Sequence, residues 1–416
     1  MVPNGIHILS MNYNHKLRLT RKLMSPLVNT SVVERAFPVQ NAASTKLLRK
    51  LSETPENYHT LIQRFNGEVI LATVYGLQDT GHNAQLLTRM FDTQERWSAI
   101  IEPGATPPIE VFPILKYAPE VVSPWKREAK WIRNSQQSIY GALMEATQQR
   151  IRDGKYLGCL MDDLLHEKNP QIGGQDLLHL GGTLLEAGLD TQSAMLQTFL
   201  MAMAAYPDIA LQAQVEVDAV CGASRLPDFQ DLEKFPFIKA CVEETFRWRP
   251  VAPMGIPHAL DRDDTHKSFF FPAGTTFVMN VWAMHMDPNE YDDPESFKPS
   301  RFLRNKFGTK YDPTASESAA RRNHYGFGAG RRVCPGQRMG ELNLYLTAAK
   351  LVWLFDMRYV GDGELDTSLT TGFKAGITVA PKEFPLELRI RSEERRAAMV
   401  KDLEKAEALL STYYAK

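Results

Sequence analysis

The amino-acid sequence predicts a mainly α-helical fold with small β-sheets. Three observations carry that expectation: a polar helical pattern over residues 125–152, a longer apolar one over residues 173–206, and strand signals that are short and come late in the chain. At 416 residues, 44% hydrophobic and 23% charged, the chain can bury a large core.

The elements follow in order. Residues 15–27 are a basic amphipathic stretch, with Lys16, Arg18, Arg21 and Lys22 set among Leu17, Leu19 and Leu23. The pattern stays helical over 32–76, with breaks near Pro38 and between Glu53 and Asn57, and resumes over 86–101. Residues 102–124 hold six prolines and cannot be regular helix. After 125–152 comes a short helix near 157–166. The 173–206 segment is too apolar for a surface helix and is expected to cross the centre of the molecule. Its middle reads Glu186-Ala187-Gly188-Leu189-Asp190-Thr191, and an acid and a hydroxyl inside a buried helix are costly unless paired. Helices follow at 207–220 and 239–248. On the second, Glu244 and Arg247 share one face among Ala240, Cys241, Val242 and Phe246, which predicts a buried ion pair.

Residues 249–258 leave that helix toward a strand, with 251–256 expected to face substrate. Strand signals at 268–271 and 275–281 bracket the turn Pro272-Ala273-Gly274, and 282–285 begin a short helix. Residues 342–355 read as a helix, 364–379 and 384–390 as late strands with a hairpin tip at 370–376, and the charged tail from 392 as a solvated helix.

A formal charge of -1 gives no reason to expect nucleic acid. Cys159, Cys221, Cys241 and Cys334 lack C-x-x-C spacing, so neither a zinc site nor a disulfide framework is indicated, and a reducing setting fits. Polar residues throughout 1–20 predict neither signal peptide nor transmembrane segment.

The stretch that carries chemistry is Phe327-Gly328-Ala329-Gly330-Arg331-Arg332-Val333-Cys334-Pro335-Gly336. A cysteine framed by glycines and arginines just before a helix describes a stabilised thiolate ligand; the plainer alternative is a small buried hydrophobe beside a turn. The pattern Phe-x-x-Gly-x-Arg-x-Cys-x-Gly resembles the haem-binding loop of the cytochrome P-450 family, the haem-thiolate monooxygenases, and matches it at every fixed position.

The resemblance implies the cytochrome P-450 fold: one large haem domain over 1–416, with 102–124 as a proline-rich lid and 392–416 as a charged C-terminal helix, lacking the N-terminal anchor and first strands. It implies heme b (iron protoporphyrin IX) with Cys334 as axial ligand, Phe327 packed beneath the ring, and Arg332, Arg21 and His258 as propionate partners. Leu17 stands where the family has Trp in its Trp-x-x-x-Arg pair. Asp190 and Thr191 match the Ala-Gly-x-Asp/Glu-Thr signature, where a local helix opening admits oxygen; Asp190 would relay protons and Thr191 would hold the activated oxygen. Glu244 and Arg247, with Arg301 of Pro-x-x-Phe-x-Pro-x-Arg-Phe, would be structural, locking the segment beneath the Cys334 loop.

The implied reaction inserts one atom of O2 into a small apolar organic substrate. Electrons would come from a separate NADPH-cytochrome reductase docking at Arg321, Arg322, Arg331, Arg332 and Arg338. Family members of this kind face the cytoplasm from the endoplasmic reticulum membrane. The motifs around Met254 and Trp282 resemble fungal secondary-metabolite enzymes. The alternative is a truncated, inactive or weakly haem-binding paralogue, or an incomplete gene model; a reductase-independent isomerase or dehydratase is disfavoured by the Asp190-Thr191 pair.

Overall fold

A computed structural model describes residues 7–28, 30–102, 104–109, 111–167, 171–310 and 322–415. Helix starts fall where the prolines sit. The helices α1 (His15–Leu23) and α2 (Thr30–Arg35) precede α3 (Phe37–Glu53), and after a short turn come α4 (Tyr58–Ile70) and α5 (Gly81–Ile101). Then follow α6 (Pro124–Arg152), α7 (Leu160–Glu167), α8 (Gly174–Ala205), α9 (Pro207–Cys221) and α10 (Pro236–Trp248). Proline occupies the first turn of α3, α6, α9 and α10, where its missing N–H costs nothing. The chain continues through α11 (Val281–His285), α12 (Ser300–Arg304), α13 (Gln337–Leu354) and α14 (Glu393–Ala415).

The strands are β1 (His258–Ala259), β2 (Asp264–His266), β3 (Phe269–Phe271), β4 (Thr276–Phe277), β5 (Phe355–Tyr359), β6 (Phe373–Lys374), β7 (Ala380–Pro381) and β8 (Leu386–Ile390). Among the described residues they form four antiparallel pairs, β1 with β4, β2 with β3, β5 with β8 and β6 with β7. The Pro272-Ala273-Gly274 turn therefore links two sheets rather than closing one hairpin. The expected strand over 364–379 shrinks to β6, and β5, where α13 passes straight into extended backbone at Phe355, was not foreseen. Leu351 to Phe355 is an unbroken apolar run that suits either state.

The chain forms two compact units. The first takes its described residues from Met1–Leu23, Gly67–Leu189 and Tyr413–Lys416, and the second from Met24–Asn66 and Asp190–Thr412. In the first, Glu186 is buried and accepts hydrogen bonds from Gln136 and Tyr140, with His7 Nε2 at 3.0 Å. The described residues of the proline-rich lid are irregular apart from two short 3-10 turns, Pro113–Tyr117 and Glu120–Val122, and Pro124, which opens α6. Lys126 donates to the carbonyls of Lys116 and Ala118, and Arg127 to those of Glu120 and Val121, so the first turn of α6 tethers the lid.

In the second unit α13 is the core element, buried without interruption from Leu342 to Leu354 apart from Tyr345. The tail is not simply solvated. Met399, Ala406 and Leu410 of α14 are buried, and Arg395 is held over the Trp353 ring at 5.0 Å and against Asp218 at 2.8 Å. These residues recur on one helical face, which overrides the charged composition.

Candidate active site

The Cys334 loop lies in the second unit, directly ahead of α13. Gly328 and Gly330 adopt φ of 72° and 64°, left-handed backbone that suits glycine. They turn the chain so that the Cys334 N–H donates to the Phe327 carbonyl at 2.9 Å. None of the four cysteines is in a disulfide; Cys334 is half-buried, whereas the other three are buried. Burial pushes the thiol of Cys159 up to about 12 and that of Cys221 to about 11, and holds Cys241 well above its ordinary value. Cys334 is thus the least buried of the four cysteine sulfurs. The Phe327 ring lies 4.9 Å from that of Phe246, one residue before Arg247.

Glu244, Arg247 and Arg301 come together. Arg247 reaches the Glu244 carboxylate through Nε and Nη2, both at 2.7 Å, and Arg301 Nε donates to it at 3.0 Å. The Lys298 N–H adds a fourth bond at 2.7 Å. Glu244 and Arg247 are fully buried and Arg301 nearly so. The remaining donors serve carbonyls of an irregular segment: Arg301 takes those of Asp292 and Asp293, Arg247 that of Pro294, Trp248 that of Glu295, and both arginines that of Ser296. Five consecutive carbonyls are thereby satisfied by three side chains.

One participant was missed in the sequence. His285, fully buried at the end of α11, donates from Nδ1 to the Arg247 carbonyl at 3.1 Å and accepts the Tyr325 N–H on Nε2 at 2.9 Å. Burial lowers its pKa to about 3, with His324 and Arg247 adding to the effect, so the imidazole is neutral. A lone histidine closing a short helix carries no sequence signal.

Asp190 and Thr191 are half-buried at the point on α8 beyond which residues 193–204 are all buried. The expected local opening is not seen: α8 is uninterrupted α-helix from Gly174 to Ala205. Gln192, the next residue, packs on Gly340 in the first turn of α13, where a Cβ would lie 2.5 Å from its Nε2. Further along, Met195, Leu196 and Phe199 meet Val242 and Thr245 of α10 and Leu344 of α13. His258 is exposed on β1, paired with Phe277. Of 251–256, Val251 is buried, its carbonyl accepting the Val379 N–H at 2.8 Å, and Met254 is exposed. Arg332 is half-buried in the loop's 3-10 turn. Arg21 lies on α1 of the first unit, where Leu17 is fully buried. Arg321 falls outside the described residues.

Comparison with known proteins bears on this arrangement. The family described as Cytochrome P450 matches residues 1–388. The chain belongs to the cytochrome P450 family. The cytochrome P450 monooxygenase atE of Aspergillus terreus is 33% identical over 416 residues, 99% of this chain and 78% of that protein. The cytochrome P450 monooxygenase patI of Aspergillus clavatus is 33% identical over 99% of this chain and 78% of its own length. The cytochrome P450 monooxygenase patH of Penicillium expansum is 34% identical over 98% and 78% respectively. In fold, the chain is similar to a zebrafish cytochrome P450 solved with abiraterone, with a TM-score of 0.71 and 21% identity, covering 93% of this chain and 85% of that one. The enzyme class is that of a cytochrome P450 monooxygenase, and the family implies a haem iron.

The residues present fit that group. A cytochrome P450 needs a sulfur donor at this loop, and Cys334 stands there half-buried and outside any disulfide. Phe327 rests on Phe246 yet stays half-exposed, and a Cβ at Gly328 or Gly330 would meet nothing within 4 Å. A flat cofactor can approach the loop.

Proposed function

We propose that this cytochrome P450 uses heme b to insert one oxygen atom from O2 into a small apolar organic substrate, with a separate NADPH-cytochrome reductase supplying electrons. The observation that carries the proposal is the half-buried Cys334 on a glycine-hinged loop directly ahead of α13. When bound there, haem supplies the iron that activates O2. Cys334 would hold it through its thiolate sulfur. Phe327 would pack beneath the ring, and Arg332, His258 and Arg21 would pair with propionates. Thr191 would offer its hydroxyl as a hydrogen-bonding group and Asp190 would hold and pass a proton, both from α8. Glu244, Arg247 and Arg301 would fix the backbone beneath the loop and take no part in the reaction.

Fungal relatives and the motifs around Met254 and Trp282 support a place in secondary metabolism. No single described helix is long and apolar enough to cross a membrane. The lid exposes Ile114, Tyr117 and Val121 at 76%, 85% and 85%, apolar surface suited to touching a membrane from the cytoplasmic side.

The test is Cys334→Ser. The wild-type chain, reduced under carbon monoxide, should show the red-shifted Soret band of thiolate-ligated iron, and the variant should lose both band and turnover. A variant that keeps them excludes the assignment. Thr191→Ala should then uncouple electron use from product formation.

A further inference from the structure

The segment entering the Cys334 loop is held by two imidazoles on consecutive amides. His285 Nε2 accepts the Tyr325 N–H at 2.9 Å, and His324 Nδ1 accepts the Gly326 N–H at 3.1 Å. The second nitrogen of His285, Nδ1, donates to the Arg247 carbonyl at 3.1 Å, and that of His324, Nε2, lies 3.4 Å from Glu243 Oε2 without making a hydrogen bond to it. Tyr345 donates to the other oxygen of that carboxylate. His324 also stacks on Phe246 at 4.5 Å with a 4° interplanar angle. The loop backbone is pressed against both, since a Cβ at Gly326 would stand 3.0 Å from His324 Nδ1 and 3.0 Å from Phe246 Cδ1. Phe327 comes next, and its carbonyl takes the Cys334 N–H.

Glu243, His324 and Glu341 present ligand atoms within 4.8 Å of one another, a spacing that could suit a metal ion. The hydrogen bonds argue otherwise. With Nδ1 occupied by the Gly326 N–H, the His324 proton sits on Nε2, the atom facing Glu243, and a protonated nitrogen is no ligand. The cluster is a fixed tautomer, not a cation site.

We propose that His285 and His324 are positioning residues for the Cys334 sulfur, two neutral acceptors that fix its loop through the Tyr325 and Gly326 amides. This rests on the assignment of Cys334 as haem ligand. The two rings use different nitrogens, which makes the proposal specific. An asparagine carbonyl replaces Nδ1 and a glutamine carbonyl replaces Nε2, so His324→Asn and His285→Gln should preserve the loop. His324→Gln and His285→Asn, the crossed pair, should not, and neither should phenylalanine at either position.

The measurements are haem affinity and the fraction of the ferrous carbon monoxide complex showing the thiolate-type Soret band, with circular dichroism reporting folding. Crossed and phenylalanine variants should lose about tenfold in haem affinity, with the matched variants near wild type. Equal behaviour of matched and crossed variants overturns the proposal, as does a phenylalanine variant that keeps affinity and band. If the phenylalanine variants fail to fold, the matched-against-crossed comparison still decides. A wild-type chain without the band would instead strike the Cys334 assignment.

Discussion

Glu244→Gln isolates the charge at the centre of the buried knot while keeping its shape. The carboxylate accepts four bonds, two from Arg247, one from Arg301 and one from the Lys298 amide. Glutamine offers one carbonyl oxygen and turns an NH2 toward guanidinium donors, so at least one donor loses its acceptor and two buried cations lose their counter-charge. Removing one partner of a buried ion pair costs roughly 3–5 kcal/mol, and because both pairs share one carboxylate the costs do not double. Taking about 4 kcal/mol against a total stability of about 5–15 kcal/mol, the variant should fold with a small reserve. Urea unfolding of the purified chain reads this as a midpoint lower by about 1–2 M. A midpoint within about 0.3 M of wild type would mean that the guanidiniums keep their carbonyl partners without the carboxylate, and the electrostatic reasoning would be wrong.

Three further outcomes follow. His285 and His324 are buried, with pKa values lowered by burial to about 3 and about 4, so the stability they contribute is complete above the ordinary histidine pKa and is lost as pH falls toward those values. At about pH 5 each costs about 2 kcal/mol, partly offset by Glu243 and Glu341, whose pKa values burial raises; a urea midpoint that does not fall between neutral and mildly acid pH contradicts this. Lys350 is fully buried, its pKa lowered by burial to about 7, with Nζ donating to the Asn41 carbonyl, Ser44 and Thr45 at 2.8, 2.9 and 2.8 Å. Stability should rise by about 3 kcal/mol over the two pH units above neutrality in wild type and stay flat in Lys350→Met, and parallel titrations would exclude the assignment. Arg338→Glu, at an exposed position beside the loop, should slow reductase-driven turnover several-fold while leaving the carbon monoxide spectrum unchanged; an unaltered rate removes Arg338 from the docking face.

What the sequence made legible was what local spacing encodes. Glu244 and Arg247 sit at i,i+3 amid apolar neighbours, and Pro207 opens the helix expected at 207–220, whereas the helices expected at 125 and 239 begin earlier, at Pro124 and Pro236. The Cys334 loop was readable because its Phe-x-x-Gly-x-Arg-x-Cys-x-Gly spacing resembles the family's haem-binding loop, and Gly328 and Gly330 take left-handed backbone. What stayed hidden depends on tertiary placement. His285 gains its role only when α11 meets the end of α10, and the buried face of α14 is masked by charge. Gly188 stands in a motif expected to open the helix, yet a Cβ there would lie 2.5 Å from Ile70 Cδ1, so it permits close packing in the first unit. The division of the chain inside α8 leaves no mark at all, since the helix runs on without a cap or a break.

The buried charges of the second unit are explained by the backbone they serve. Residues 286–299 have neither helix nor strand, so their carbonyls lack the ladder partners that regular structure supplies. Five in succession, from Asp292 to Ser296, would each cost free energy if left dry and unpaired. Apolar side chains could fill the volume of Arg247 and Arg301 but could donate nothing. Guanidinium groups supply five N–H donors in a rigid fork, and the one carboxylate at their junction is shared by both while leaving donors to spare. A hydrophobic replacement of the whole trio, which in many proteins is neutral or stabilising, should here remain destabilising, because it takes the donors away from these carbonyls. The triple variant Glu244→Leu, Arg247→Met, Arg301→Met decides the matter: if it unfolds at the urea midpoint of wild type, the arginines serve only Glu244, and the irregular segment finds its donors elsewhere.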